Sequence, residues 1–552
     1  KGLKVCVFTL LPVFVGGGGG GCGKMSSKAG GQKHGEENAA WCEHYARISK
    51  EEASRWASPS SSTRSPSPSP QEEALAGSSP RGSPPLREYG SLGSGELWKW
   101  LWLDFSRTPQ STVGRRLKRK LSGFNLEADA AEAEAIREAP VGPVGLSLLP
   151  PVEEGSLMAS VFTLVSSAMG AGCLSLPFMF KQSGILLGLV LLLSGAILAH
   201  ISLVVLMCCA RYTDSSSMSR LVSLAGAGGG RVVDVVIAIY GIAAVLCYFI
   251  FIGDFFSGIV RSPFLGWEVS RETIITTVAV FVVWPLSLLR SLTALRYVCV
   301  LSVVAVCITA LVVALKAPAE ARAGWDQGDD GAWELKWWNN DCYTMLHSFS
   351  IALFAFAAHT NAVPVATSLK HADVRTIWCV SLYSVGIEFV FYTVMGIGGY
   401  LSFRGLTKQD FILNYGNDDV VMFVVRCVYG VVVCLGAPIN LSPAASSILG
   451  LISQGTPSRH KHPIVVTIVI AACVCIAICN EHIADVIGLI GASFGSLIVL
   501  AWPARIYRQV LFELHPPRLA RGLYSLLLGA AFVGFASFAA QAFGAWCGKS
   551  HS

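Results

Sequence analysis

Charge is scarce in this chain. Asp, Glu, Lys and Arg make up 14% of its 552 residues, against 53% apolar ones, whereas soluble domains carry roughly 25% charge. With a mean hydropathy of +0.54, lipid is the expected solvent. Alternating ten-residue strand patterns are also missing, which argues against a membrane β-barrel. No nucleophile with a base, metal-ligand cluster or phosphate-binding loop appears among the apolar stretches, so an enzyme is not expected. The seventeen cysteines do not make a disulfide scaffold, because many, such as Cys208, Cys209, Cys299 and Cys307, fall inside apolar helices as small packing residues. Cys473, Cys475 and Cys479 have no paired Cys or His cluster downstream, and no metal site is expected. The net charge of +6 comes from cations between apolar stretches or in the N-terminal part. That distribution speaks of membrane topology and not of nucleic-acid binding.

What the chain does have is apolar runs of about twenty residues, each long enough to cross roughly 30 Å of hydrocarbon as a helix. They read as Leu157 to Phe180, Gly184 to Ala210, Val232 to Val260, Thr273 to Leu289, Leu295 to Leu315, Cys342 to Thr367, Thr376 to Phe403, Val421 to Ile452, Pro463 to Asn480, Ala484 to Ala504 and Leu523 to Trp546. The fold class is thus all-α and polytopic, with about eleven transmembrane helices in residues 149–552. With the N-terminus inside, the cytoplasmic loops hold thirteen cations and the outer side nine, which sets the orientation.

Residues 1–148 read as a disordered, low-complexity cytoplasmic tail. The short apolar stretch Val5 to Val15 has no clear cleavage site after it, and Met25 offers a start. Ser58 to Ser94 is rich in Ser, Pro and Gly and cannot bury enough apolar surface to fold. Aromatic Glu96 to Phe105 and basic Arg115 to Lys120 suit an anionic membrane surface.

Two spans are interrupted. "SSAMGAGCLSLPFMF" puts Gly170, Gly172 and Pro177 in mid-membrane, where glycine loosens a helix and proline removes a donor. "FAFAAHTNAVPVATSL" gathers His359, Thr360, Asn361 and Pro364 in the sixth span. Freed backbone groups there can bind a solute, and the half-helix beginning near Cys173 attracts a carboxylate. Breaks at corresponding places in two halves point to a transporter with inverted repeats and a midplane site. Gly and Pro also serve plain close packing in membrane helices.

At these residues the sequence resembles the amino acid/auxin permease superfamily, especially its sodium-coupled neutral and proton-coupled amino acid transporters. The motifs are "GAGCLSLPF", "FAFAAH" with "VPVATSL", "FIGDFF" around Asp254, "GYLSF" at Gly399 to Phe403 and "VRCVYGVVVCLGAP" at Val425 to Pro438. The resemblance implies two inverted five-helix repeats plus one extra helix, alternating access, and a substrate carboxylate at Gly170 to Gly172. The implied substrate-binding set is Ser166, Ser167, Met169, Gly170, Ala171, Gly172 and Cys173 with Phe356, His359, Thr360 and Asn361. Where sodium-coupled members carry Asn and Thr, this chain has Ser166 and aligns Cys434 or Gly436. A hard cation prefers oxygen ligands, so a proton is expected as coupling ion before sodium, with no cofactor.

Ionisable residues within spans need a partner, a cavity or neutrality, since a charge there costs about 2.5–3.5 kcal/mol. Asp254, His359 and Glu388 join Ser166 and Cys434 as coupling candidates. His359 fits three roles: substrate contact, proton coupling, or plain satisfaction by a carbonyl. Asp254 and Glu388 fit a structural ion pair or a proton acceptor, and Arg426 is expected to snorkel or pair with an outer acid. The expected function is amino-acid transport or symport across the plasma or an endolysosomal/vacuolar membrane. Membrane lipid and the substrate are the expected partners, with no nucleic acid. The alternative is an amino-acid sensor whose tail recruits a cytoplasmic partner.

Overall fold

A computed structural model of the protein describes residues 155–224, 230–288, 292–325, 334–370, 373–452, 461–479, 483–512 and 515–549. The expected tail over 1–148, with its aromatic and basic stretches, lies outside the described residues. The described residues form helices and connections, in keeping with the all-α expectation.

Helix α1 (Leu157–Ala168) starts where the Ser156 hydroxyl accepts the Ala159 amide at 3.2 Å, satisfying one of the amides that a helix start leaves open. After the first break come α2 (Ala171–Leu174) and α3 (Leu176–Ser183), bent by 57° from α1. Gly184 then turns the chain at φ +84°, and a Cβ there would lie 2.6 Å from the Trp337 carbonyl carbon. Only glycine fits that corner. There follow α4 (Ile185–Thr213), α5 (Met218–Leu224) and α6 (Gly230–Val260). The fourth expected span is α7 (Arg271–Val278), a π-helical turn Ala279–Val283 and α8 (Trp284–Ser287), followed by α9 (Leu292–Trp325). The second half comprises α10 (Cys342–Ala355), α11 (His359–Ser368), α12 (Val374–Phe403), α13 (Val420–Ile452) and α14 (Lys461–Ile478). Helix α15 (Ile483–Ile490) continues through π-helical Gly491–Ala501 into α16 (Trp502–Val510), and α17 (Pro517–Lys549) closes the bundle.

Among the described residues nine helices are long and apolar enough to cross a membrane, and the bent first pair makes ten. The expected eleven is therefore not reached on length alone, because the fourth segment is short and changes helix type midway.

The bundle exposes large apolar side chains and buries its mid-span polar residues within an otherwise apolar core. Phe281 and Phe532 are 75% and 74% exposed, while Ser202, His359, Ser384 and Glu388 are completely buried. That is the distribution lipid demands. The packing also relates the two halves. Third span α6 lies along eighth span α13, second α4 along seventh α12, and fourth α7 and α8 against ninth α14. In these three pairs a helix meets its counterpart five spans later, as elements beside a two-fold axis do.

Candidate functional site

Gly170 and Gly172 bring the two breaks together. A Cβ on Gly172 would lie 3.0 Å from the Ala355 Cα, so the start of the first span's second half rests on the end of α10. A Cβ on Gly170 would lie 1.8 Å from the Tyr248 hydroxyl, and one on Gly436 2.6 Å from the same ring. Two helices can approach Tyr248 this closely only through glycine.

A break in hydrocarbon leaves carbonyls without helical donors, each costing several kcal/mol if unpaired. Tyrosines supply the donors. Tyr429 of α13 donates to the Gly170 carbonyl at 3.0 Å and lies 2.6 Å from the Cys173 thiol. Tyr392 of α12 donates to the Ala355 carbonyl at 2.8 Å, and Tyr240 of α6 to Ala357 at 3.4 Å. Tyr248 accepts from Asn440 Nδ2 at 3.2 Å. None of the four tyrosines was singled out from sequence, yet a buried phenol usually finds a partner, and that was the available signal.

Met169, Gly170, Ala171, Gly172 and Cys173 form the first break and the turn after it. Ser166 and Ser167 end α1; Ser167 donates back to the Leu164 carbonyl at 2.8 Å, while the buried Ser166 hydroxyl has no hydrogen-bond partner. Phe356 caps α10 and packs edge-on against Tyr392 at 5.1 Å. His359, Thr360 and Asn361 form the first turn of α11, all buried, and the Asn361 amide nitrogen also lacks a partner. His359 Nε2 lies 2.7 Å from the Ser202 hydroxyl, which reaches the Leu198 carbonyl at 2.8 Å. The tautomer decides which of Ser202 Oγ and His359 Nε2 is the donor, and in either case His359 Nδ1 is a buried atom without a partner. The partner of His359 is thus a hydroxyl and not a carbonyl.

The other coupling candidates are dispersed. Asp254 pairs with Arg271 at 3.1 Å, and Arg271 also donates to the Ala477 and Ile250 carbonyls. Cys434 is a buried thiol on α13 between Tyr429 and Gly436. Glu388, in the middle of α12, is fully buried with both carboxyl oxygens unpartnered. Arg426 departs from expectation: it neither snorkels nor makes an ion pair, but gives its guanidinium to the Ile412, Tyr415 and Gly416 carbonyls and the Asn417 side chain. The connection from α12 folds back over α13, and its carbonyls replace the acid. Among the described residues no group of His, Cys, Asp and Glu could hold a metal ion.

Residues 153–513 match the profile of the family described as "Transmembrane amino acid transporter protein". The chain belongs to this family. As a family member it is similar to a Toxoplasma gondii protein named for amino acid transport, with 29% identity over 56% of this chain and 42% of that protein. It is also similar to "Vacuolar amino acid transporter 7" of Saccharomyces cerevisiae, at 26% over 54% and 60%, and to "Sodium-coupled neutral amino acid transporter 7" of Danio rerio, at 26% over 51% and 62%. The chain therefore spans less than two thirds of the length of these relatives. Among solved structures, MhsT in complex with L-phenylalanine has a TM-score of 0.43 at 12% identity, covering 71% of this chain and 100% of that one.

Proposed function

We propose that this family member carries an amino acid across its membrane by alternating access, and that a proton moves with it. The observation that carries the reading is the pair of breaks meeting in mid-bundle. Their freed carbonyls are held by phenols, and buried polar atoms of Ser166, His359 and Asn361 lie at their edges without partners. A zwitterion has the acceptors and donors such atoms lack, and a half-helix start favours its carboxylate.

Proton coupling is supported by Glu388. Both its carboxyl oxygens are buried in mid-span with no donor beside them, and an ionised carboxylate costs several kcal/mol at such depth, so this side chain suits the carriage of a proton. It can ionise only when the bundle opens to water, which ties its proton to the transport cycle. It stands one turn before Tyr392 on α12, and Tyr392 holds the second break. The Danio rerio relative's name gives sodium coupling. Here Ser166 and either Cys434 or Gly436 stand in the ion-binding places that the resemblance implies, and neither a thiol nor a glycine offers a hard cation the side-chain oxygen it prefers. The sensor reading depends on residues 1–148, outside the described residues.

The test is uptake of a panel of labelled L-amino acids into proteoliposomes, with sodium and pH gradients imposed separately. Uptake of at least one amino acid should rise several-fold with an inward proton gradient and ignore sodium. Glu388→Gln should keep counterflow exchange and lose the response to the gradient. Sodium-driven uptake indifferent to pH would overturn the coupling; no uptake of any amino acid would overturn transport itself.

A further inference from the structure

Away from the breaks, a cleft of about 320 Å³ opens between Phe178 and Lys181 of α3, Asp254 of α6 and the connection after α12. Small-molecule sites occupy about 300–1,000 Å³. The cation bias of the loops assigns this end of the bundle to the outer side. Phe178 comes six residues after Gly172, and Asp254 six after Tyr248, a rise of about 9 Å along each helix. Phe255, next to Asp254, stacks on Tyr429 with ring centroids 5.5 Å apart. Since Tyr429 holds Gly170, this ring pair spans the interval between cleft and breaks.

Most charges around the cleft are already engaged. Asp254 is paired with Arg271, Lys408 donates to the Leu413 carbonyl at 3.2 Å, and Arg426 serves the carbonyls of 412–416. Two lining groups retain capacity. Asp410 is 3% exposed; its Oδ1 accepts the Ile412 amide at 3.2 Å, while Oδ2 is buried with no hydrogen-bond partner. Burial, and then the charge of Asp254, push Asp410 well above the usual carboxylate range. Lys181 gives one N–H to the Thr407 carbonyl at 3.0 Å and sits 5.5 Å from the Phe178 ring centroid, leaving two further N–H groups.

An ammonium group brought to the buried Oδ2 of Asp410 would favour its ionised form, but a lone cation would be repelled by Lys181; a lone anion would suit Lys181 and not Asp410. A ligand that carries both charges on adjacent groups suits both. We propose that the cleft is a second amino-acid site, an antechamber to the breaks, in which the substrate's ammonium group meets Asp410 and its carboxylate meets Lys181. The proposal rests on the amino-acid reading of transport given above and adds a separate place of binding. The apolar face of Phe178 and Leu413 would take the side chain.

The test counts bound ligand on the full-length purified protein by equilibrium dialysis, using the labelled L-amino acid with the highest uptake in the panel. Wild type should bind two molecules per chain. Asp410→Asn and Lys181→Gln should each bind one, at the breaks, and each should raise the KM for uptake at least tenfold. Gly170→Leu, which fills the space at Tyr248, should abolish uptake and still bind one, in the cleft. A wild-type count of one with uptake intact would overturn the antechamber and leave transport standing. A count of two in both Asp410→Asn and Lys181→Gln would overturn it as well, as would complete loss of binding in Gly170→Leu.

Discussion

Three tyrosine hydroxyls keep the breaks from being faults. Each donates to a carbonyl that a continuous helix would have satisfied: Tyr429 to Gly170, Tyr392 to Ala355, Tyr240 to Ala357. Removing one hydroxyl strands a buried acceptor, a cost of about 1–3 kcal/mol. Tyr429→Phe is therefore expected to lower the thermal midpoint of the purified protein, while Phe substitution of a lipid-side tyrosine such as Tyr383, 49% exposed, leaves it in place. An unchanged midpoint in Tyr429→Phe would mean that Gly170 draws its support from elsewhere, for instance from the Cys173 thiol at 3.4 Å. Gly170, Gly172, His359 and Pro364 were legible in the sequence because the defect is local: glycine, proline and polar residues within an apolar run. The phenols were not, because Tyr429 lies 259 positions from its acceptor. Arg426 was misread for a different reason: its partners lie close by in sequence, but hydropathy does not show that the connection folds back to bring the Ile412, Tyr415 and Gly416 carbonyls and the Asn417 side chain to it.

Arg271 shows how whole helices are held in place. At the first turn of α7 it joins Asp254 on α6 and, through the Ala477 carbonyl, the end of α14. Both side chains of the ion pair are mostly buried, at 14% and 11% exposure. Removing one partner from a buried pair costs about 3–5 kcal/mol, because the other charge is left behind, whereas removing both costs less. Asp254→Ala and Arg271→Ala should each give less folded protein and a lower thermal midpoint than wild type. The double variant should recover part of the loss; a double variant as poor as the two losses added together would mean that the groups act separately. At this scale the apolar runs gave most spans to within a few residues, because span length is a property of hydropathy alone. What hydropathy did not announce is the change of helix type inside two spans, π-helical over Ala279–Val283 in the fourth and over Gly491–Ala501 in the tenth.

Across the whole molecule, the longest shared interface joins α6 to α13, third span to eighth, and it is built on close approach. A Cβ on Gly241 would lie 2.5 Å from the Ala444 Cβ, and one on Gly430 3.1 Å from the Phe256 ring. Helices this tightly meshed move as one body, since packed interiors resist small displacement. On the proposed alternating access, the broken spans would move against this pair. One face of helix α17 stands at the other extreme, with nothing within 4 Å of a Cβ on Gly522 or Gly529, while Gly534 on the same helix packs closely on Ser496. The contrast separates packing from helix propensity. Alanine is worth up to about 1 kcal/mol over glycine in an exposed helix, so Gly529→Ala should leave uptake unchanged and hold or raise the thermal midpoint. Gly241→Ala makes the same chemical change where no room exists, and should lower both the midpoint and the yield of folded protein. Equal tolerance at the two positions, measured side by side in detergent, would show that α6 and α13 can part, and the moving boundary would then have to be sought between them.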